Sequence, residues 1–450
     1  MRSIRRKVLI GILVLISVLF LSAGLVLAGG SKASGEKEKK AVEKEAPKEE
    51  VFGAKLQKRL ASRPPAKQAE PLTPSDFPTK FLPGIDKPGV VPKKRYFVVY
   101  SNGDMNDLWR LNHVKDMEAW GNRYNEQFGI KFMWANAGNN SAKQVSDIES
   151  LLALQPDLLI LSANEAEPLS VIFEMCRELE VPFITVDRGI ARPLAWEDPN
   201  DMYICHISMD FMYQGVVQGK KIVEYLTNKY GKPIGNVVEL AGLAGSEPAI
   251  HRSIGLNLVL DNYPDIRIIA SRPTAFDRKK SYEIMRDWLE TYPPGSIDAV
   301  AGSFDEGILG ALQAIKEAGR DELVGGPLFG IDGVKEFLEN IVKGETNLTT
   351  ECPPYFGMLA FEYGLRYLNG EKIPGLVMLP LRTYSRDNLD ILKKHLELME
   401  KYKKDFPLVE WGGHDQLSVD VSDVYPKNWV EDPSLLEKPY YQTDPPIEVQ

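Results

Sequence analysis

Between residues 96 and 381, short apolar runs alternate with longer stretches of mixed polarity. The runs are YFVVY (96–100), KFMWA (131–135), LLIL (158–161), FITV (183–186), YICHI (203–207), NVVEL (236–240), RIIA (267–270), DAVAG (298–302), LFGID (328–332) and VMLPL (377–381). Each is short and almost continuously apolar, as a strand is when both faces of its sheet are covered. The stretches between them have helical spacing. In 144–154 the apolar residues Val145, Ile148, Leu151, Leu152 and Leu154 fall on one stripe, and 279–291, 306–318 and 333–343 behave likewise. Asn140 or Ser141, and later Asp277, stand where a helix N-cap is wanted. Repeated strand–helix units with right-handed crossovers predict an α/β fold. Ten candidate strands divide into two doubly wound parallel-sheet lobes of about five strands each.

The ends of the chain show other patterns. Arg2, Arg5, Arg6 and Lys7 precede an uncharged apolar run, Val8–Ala28, with Val26 and Ala28 as small residues before a possible cleavage point. That layout reads as an export signal at 1–28. The run is also long enough to stay uncleaved as a membrane anchor, and both readings export the rest of the chain. Residues 31–50 hold six Lys and six Glu with almost nothing apolar, and prolines crowd the stretch to about Val91. Residues 29–93 therefore read as an extended, disordered tether or a tolerated extension. Residues 401–450 are an irregular C-terminal extension whose aromatic side chains (Trp411, Tyr425, Trp429, Tyr440 and Tyr441) predict packing against a lobe.

Composition narrows the function. Hydrophobic residues make up 44% and charged residues 26%, values that exclude a disordered or polytopic membrane chain. The net charge of -9 and the lack of a basic stripe argue against nucleic acid. Three scattered cysteines, Cys176, Cys205 and Cys352, form neither a disulfide framework nor a zinc site. The five histidines show no paired metal spacing, and GxSxG and P-loop motifs are absent, so no catalytic residue, metal or cofactor is expected.

Ligands of doubly wound sheets bind beyond the carboxyl ends of the strands. Here those ends carry charged, amide and aromatic residues: Asn106 and Trp109 after the first run, Ser162 and Asn164 after the third, Asp187 and Arg188 after the fourth. Further on come Arg252, Phe276, Phe304, Asp305, Asp332 and, after NLTT, Glu351. Charged and amide groups hydrogen-bond hydroxyls, while aromatic rings pack on C–H faces, so the set suits a sugar or polyol. Any single carboxylate here can equally be a helix cap, Asp305 in particular because it opens a helix.

Five segments carry a family resemblance: LLILSANEAEPL (158–169), VPFITVDRG (181–189), LAGSEPAIHRSIGL (243–256), DAVAGSFDEGILGALQAIKEAGR (298–320) and LFGIDG (328–333). Together they resemble the type I periplasmic sugar-binding proteins, the ribose-binding-like solute-binding proteins of ABC importers. The likeness runs from about Lys94 to about Leu389. It implies two lobes joined by a three-segment hinge, with crossings near 208–210, 351–352 and 379–380. Lobe 1 would be 94–208 plus 352–379, and lobe 2 would be 209–351 plus 380–400. It also implies that Asp187, Arg188, Arg252 and Asp332 hold hydroxyls, that Ser162 and Asn164 add a polar contact, and that Trp109 and Phe276 stack on the ligand.

Two positions depart from the family pattern. Phe304 stands where the family usually has Asn, and Glu351 where it often has Gln or Asn. These departures predict a pocket richer in acceptors, compatible with a polyol or cyclitol. The expected function is capture of a monosaccharide or polyol outside the cytoplasm and delivery to an ABC transporter permease in the cytoplasmic membrane, by a protein that the family leads one to expect as a monomer. The alternative is a binding protein that signals to a kinase or chemoreceptor. A glycosidase using Asp332 and Glu351 is a further rival.

Overall fold

The computed structural model describes residues 89–191, 202–373, 375–379 and 382–407. The expected leader (1–28), almost all of the tether (29–93) and most of the C-terminal extension (401–450) lie outside them.

The first sheet is built from β1 (Phe97–Asn102), β2 (Lys131–Asn136), β3 (Leu158–Ser162), β4 (Phe183–Val186), β5 (Tyr203–Met209) and β11 (Leu376–Leu379), in the order β11-β5-β4-β3-β1-β2. The second holds β6 (Gly235–Ala241), β7 (Ile266–Pro273), β8 (Ala299–Gly302), β9 (Leu328–Asp332), β10 (Leu348–Glu351) and β12 (Thr383–Ser385), in the order β12-β10-β9-β8-β6-β7. Every pairing is parallel except β10 with β12, which is antiparallel. The two parallel-sheet α/β lobes expected from the sequence are therefore present. Each sheet has six strands where about five were expected. The additions are the short β10, whose LTTE sequence has too few apolar residues to read as a strand, and the three-residue β12.

Helices occupy the connections: α1 (Leu108–Phe128), α2 (Ser141–Leu152), α3 (Val171–Glu178), α4 (Phe211–Tyr230), α5 (Glu247–Leu260), α6 (Arg278–Thr291), α7 (Asp305–Glu317), α8 (Lys335–Lys343), α9 (Gly357–Leu368) and α10 (Leu389–Tyr402). Their starts obey local chemistry. Asn140 accepts from Lys143 N and Asp277 from Lys280 N, so both expected caps act as caps. α4 and α5 cross so closely that a Cβ on Gly215 would meet Arg252 O at 2.1 Å, and one on Gly255 would meet Met212 O at 2.0 Å. Only glycine allows that approach, and it holds the helix that carries Arg252.

The chain leaves the first sheet after Met209, returns after Glu351 and crosses again after Leu379. Just past α10 the chain touches both sides. Asp405 O accepts from Lys335 N at 2.9 Å, the Asp405 carboxylate accepts from Asn112 Nδ2 at 3.2 Å, and the Phe406 ring is fully buried. Cys176, Cys205 and Cys352 are free and buried. Among the described residues no helix is long and apolar enough to cross a membrane.

Candidate functional site

The strand ends of the two sheets border a cavity that is partly open to solvent. From the first lobe it is lined by Asp107, Trp109, Arg110, Asp187 and Arg188, and from the second by Pro248, Arg252, Phe276, Phe304, Glu306, Asp332 and Val334, with Cys352 at a crossing.

On the first side, Asp107 starts α1 by accepting from Arg110 N at 2.6 Å. The next turn then aims the Arg110 guanidinium inward. Arg110 is buried, donates to Asp187 Oδ2 at 2.7 Å and to Ser162 Oγ at 2.8 Å, and lies 4.8 Å from the centre of the Trp109 ring. Arg188 pairs with Asp104 at 3.3 Å, and its buried Nε has no hydrogen-bond partner. Burial opposes the charge of Arg188 and the neighbouring Arg110 adds to that, lowering its pKa. The Trp109 ring is held by a 2.6 Å bond from Nε1 to Cys352 O and by stacking on His113 at 5.1 Å.

On the second side, Arg252 donates to Gln214 Oε1 (2.8 Å), to Ser303 O (2.6 Å) and to Asp332 Oδ1 (3.3 Å). Burial drives the Asp332 carboxyl well above its ordinary pKa despite Arg252, and Asp305, Asp107 and Asp187 push the same way. Phe276 and Phe304 meet edge to face at 5.2 Å, and Arg188 reaches over from the first lobe to 5.2 Å from the Phe276 ring. Asp187, Phe276 and Asp332 have φ of 61°, 57° and 129°. Side chains other than glycine rarely adopt such angles, and each costs about 1–3 kcal/mol unless the surroundings hold it. Gly242 makes room for Phe276, since a Cβ there would meet the ring at 2.2 Å.

Seven of the twelve candidate residues therefore line one cavity: Trp109, Asp187, Arg188, Arg252, Phe276, Phe304 and Asp332. The other five lie outside its lining. Asn106 is exposed. Ser162 is buried behind Arg110 as its acceptor. Asn164 is buried between Gln144 and Ser141, with Oδ1 left unpartnered. Asp305 turns away from the cavity and accepts from Gly333 N (2.8 Å), Val334 N (2.9 Å) and Thr349 Oγ1 (2.9 Å), so it anchors the loop after β9. Glu351 points at the crossing and accepts from Arg382 N at 3.0 Å. The glycosidase pair loses its basis here, because Asp332 and Glu351 are register neighbours in β9 and β10 and only Asp332 lines the cavity. Asp107, Arg110 and Glu306 also line the cavity and are not among the twelve candidates. The available signal for Arg110 was its place one turn after a capping Asp, on the face that leads from β1 into the cleft.

The family model for a periplasmic binding protein domain matches residues 97–372. The chain belongs to the periplasmic binding protein family. Among relatives, this periplasmic binding protein is 26% identical to the xylitol-binding protein of Mycolicibacterium smegmatis over 61% of its own length and 74% of the relative's. It is 28% identical to the ribose import binding protein RbsB of Bacillus subtilis, over 64% and 87%. Among solved structures it resembles the fructose-binding periplasmic domain of a hybrid two-component system, with 28% identity, a TM-score of 0.58, and 68% of this chain and 98% of that one covered. The relatives are sugar- and polyol-binding proteins and not enzymes.

Proposed function

We propose that this periplasmic binding protein captures a monosaccharide or polyol between its lobes outside the cytoplasm and delivers it to the permease of an ABC importer. The observation that carries the reading is the cavity itself. Fixed carboxylate–guanidinium pairs, Asp187 with Arg110 on one lobe and Asp332 with Arg252 on the other, line one cavity together with Phe276 and Phe304. Such pairs offer donors and acceptors side by side, as vicinal hydroxyls require, and the rings cover C–H faces. The relatives that bind ribose and xylitol support the ligand class, and RbsB, an import protein by name, supports the importer.

A second reading has its own support. The fructose-binding neighbour is part of a hybrid two-component system, so the same fold also serves sensors. The lobe surfaces would then engage a kinase partner in place of a permease.

The test is a thermal shift of the protein against pentoses, hexoses, polyols and cyclitols. A ligand present at about 1,000 times its dissociation constant stabilises the native state by roughly 4 kcal/mol, a shift near 10 °C. A shift from one compound class names the ligand, and no shift across the panel sinks the sugar reading. Pull-down of a permease or of a kinase then separates the importer from the sensor.

A further inference from the structure

We propose that the ligand carries a protonated amine, so that the substrate class is an amino sugar or amino polyol; this rests on the sugar and polyol reading above. The charges around the cavity do not balance. Four carboxylates line it, Asp107, Asp187, Glu306 and Asp332, against three guanidiniums, Arg110, Arg188 and Arg252. Each guanidinium already has a carboxylate: Arg110 has Asp187 at 2.7 Å, Arg252 has Asp332 at 3.3 Å, and Arg188 has Asp104, behind the cavity, at 3.3 Å. Glu306 is 3.5 Å from Arg278. Asp107 makes no ion pair among the described residues, and the hydrogen bond it accepts comes from the backbone N–H of its own helix.

A second, independent feature marks the cavity as built for a ligand. Arg188 is buried (3% exposed) and lines the cavity, yet its Nε makes no hydrogen bond, with Asp187 Oδ2 standing off at 3.8 Å. A buried donor of that kind awaits an acceptor such as a hydroxyl or ring oxygen. The ligand therefore needs oxygen acceptors near Arg188 and, a short distance away, something that answers Asp107.

A neutral ligand answers Asp107 poorly. Closing the lobes on it would seal in a carboxylate that makes no direct ion pair, which is unfavourable unless the carboxyl takes up a proton. Burial, and then the neighbouring Asp104 carboxylate, push Asp107 up to about 7 against Arg110 and Arg188, and burial pushes Asp332 well up with Asp305, Asp107 and Asp187 adding to it. Asp107 thus has no ion-pair partner among the described residues, and Asp332 has Arg252 alone, set against three neighbouring carboxylates. An ammonium between Asp107 on one lobe and Asp332 on the other, both of which line the cavity, would stabilise both. An anionic ligand meets the opposite situation, since every lining guanidinium is already matched.

The experiment is isothermal titration of the full chain at pH 7 with glucose, galactose, ribose and xylitol. Each is offered as the parent compound, as an amino-deoxy analogue and as the N-acetylated amine. The inference expects at least one amine to bind ten-fold or more tighter than both its parent and its acetylated form. That advantage should fall below about three-fold in Asp107→Asn, where Asn still caps α1. Titrations in two buffers of different ionisation heat should show no proton uptake with the amine and uptake with the parent. A parent that binds as tightly as its amine overturns the inference and leaves the sugar reading standing. Failure of every compound to bind overturns both. If Asp107→Asn does not fold, the amine-to-parent ratio of the native protein decides alone.

Discussion

Glu247, at the start of α5 on the second lobe, stands 3.4 Å from His206 Nε2 on β5 of the first. Its other carboxylate oxygen accepts from Gly189 N, also on the first lobe, and His251 lies 3.6 Å from Oε1. His206 is itself fixed through Nδ1 to Thr185 Oγ1 at 2.7 Å, which bonds to Tyr203 OH. Close by, Ala166 N donates to Gly245 O at 2.9 Å. The two lobes are thus joined directly by groups that do not line the cavity.

Contacts made only when the lobes meet favour the closed form, and ligand affinity depends on that equilibrium. Glu247→Gln should therefore weaken every ligand alike, by about ten-fold if one charged hydrogen bond of about 1.5 kcal/mol is lost. The order of preference among ligands should not change. The pH dependence has a definite sign. Burial opposes the Glu247 charge, but His206, His251 and Gly189 outweigh it and hold the carboxyl at about 2, against 4.5 ordinarily. The open form then takes up a proton first. The contribution of this contact to affinity is complete above about 4.5 and is lost as pH falls toward about 2. Titrations from pH 7 to 3 should show the native protein losing affinity from this source and the Gln variant lacking that component. A Gln variant that reorders the ligand series would place Glu247 at the ligand instead.

Arg252 and Asp332 are expected to fail together. Removing either leaves the other charge buried without its partner, so Arg252→Ala or Asp332→Ala should each weaken binding by about 1.5–3 kcal/mol. The double variant should lose less than the sum, because the pair acts as a unit. Calorimetric titration of the three proteins checks this. Native affinity in both single variants removes the pair from the site.

Much of this was legible in the sequence, for physical reasons that differ from element to element. Buried parallel strands such as FITV need apolar residues on both faces, and β4 spans the expected residues (Phe183–Val186). The two strands that were not foreseen lack that signature: β10 is LTTE and β12 only three residues. At the site, Asp187, Arg188 and Asp332 were visible because they lie at or directly after strand ends. Arg110 was not, since one turn into α1 a buried guanidinium and an exposed one look alike in sequence. Asp305 and Glu351 were misjudged in the other direction. Both obey the strand-end rule, yet the loop after β9 and the backbone of Arg382 take up their oxygens. Glu351→Gln is consequently expected to leave ligand preference unchanged.

Asp305 should show itself in stability. Burial raises its carboxyl to about 7 although Val334, Thr349 and Gly333 all donate to it. Asp116, buried beneath Gly357 N, is likewise raised to about 7 by burial. An acid raised in the folded state binds its proton more tightly there than in the unfolded chain. Its contribution is therefore complete below the ordinary value of 3.8 and is lost as pH rises through about 7. The protein is expected to melt higher at pH 5 than at pH 8. Asp305→Asn, which keeps an acceptor for Val334 N and Gly333 N, should reduce that difference while leaving ligand affinity near native. A variant whose melting temperature keeps the full pH dependence would remove Asp305 as its source.

The segment just beyond α10 should matter as much as an element of the lobes. Asp405 bonds to α8 through its backbone and to Asn112 on α1 through its carboxylate, while Phe406 O accepts from Tyr355 OH at 3.4 Å beside the second crossing. With its ring fully buried, Phe406 occupies the place of a core residue. Phe406→Ala is expected to cost about 3–5 kcal/mol, a fall of about 10 °C in melting temperature at 2–4 °C per kcal/mol. Asp405→Ala removes only the carboxylate bond to Asn112 and should cost far less stability. It loosens the segment's hold on the first lobe, where the Tyr355–Phe406 bond remains, while the backbone bond still holds the second. Its effect should thus appear in ligand affinity through the open–closed equilibrium more than in the melt. A Phe406→Ala protein melting within about 2 °C of the native one would show that this segment contributes little to the folded unit.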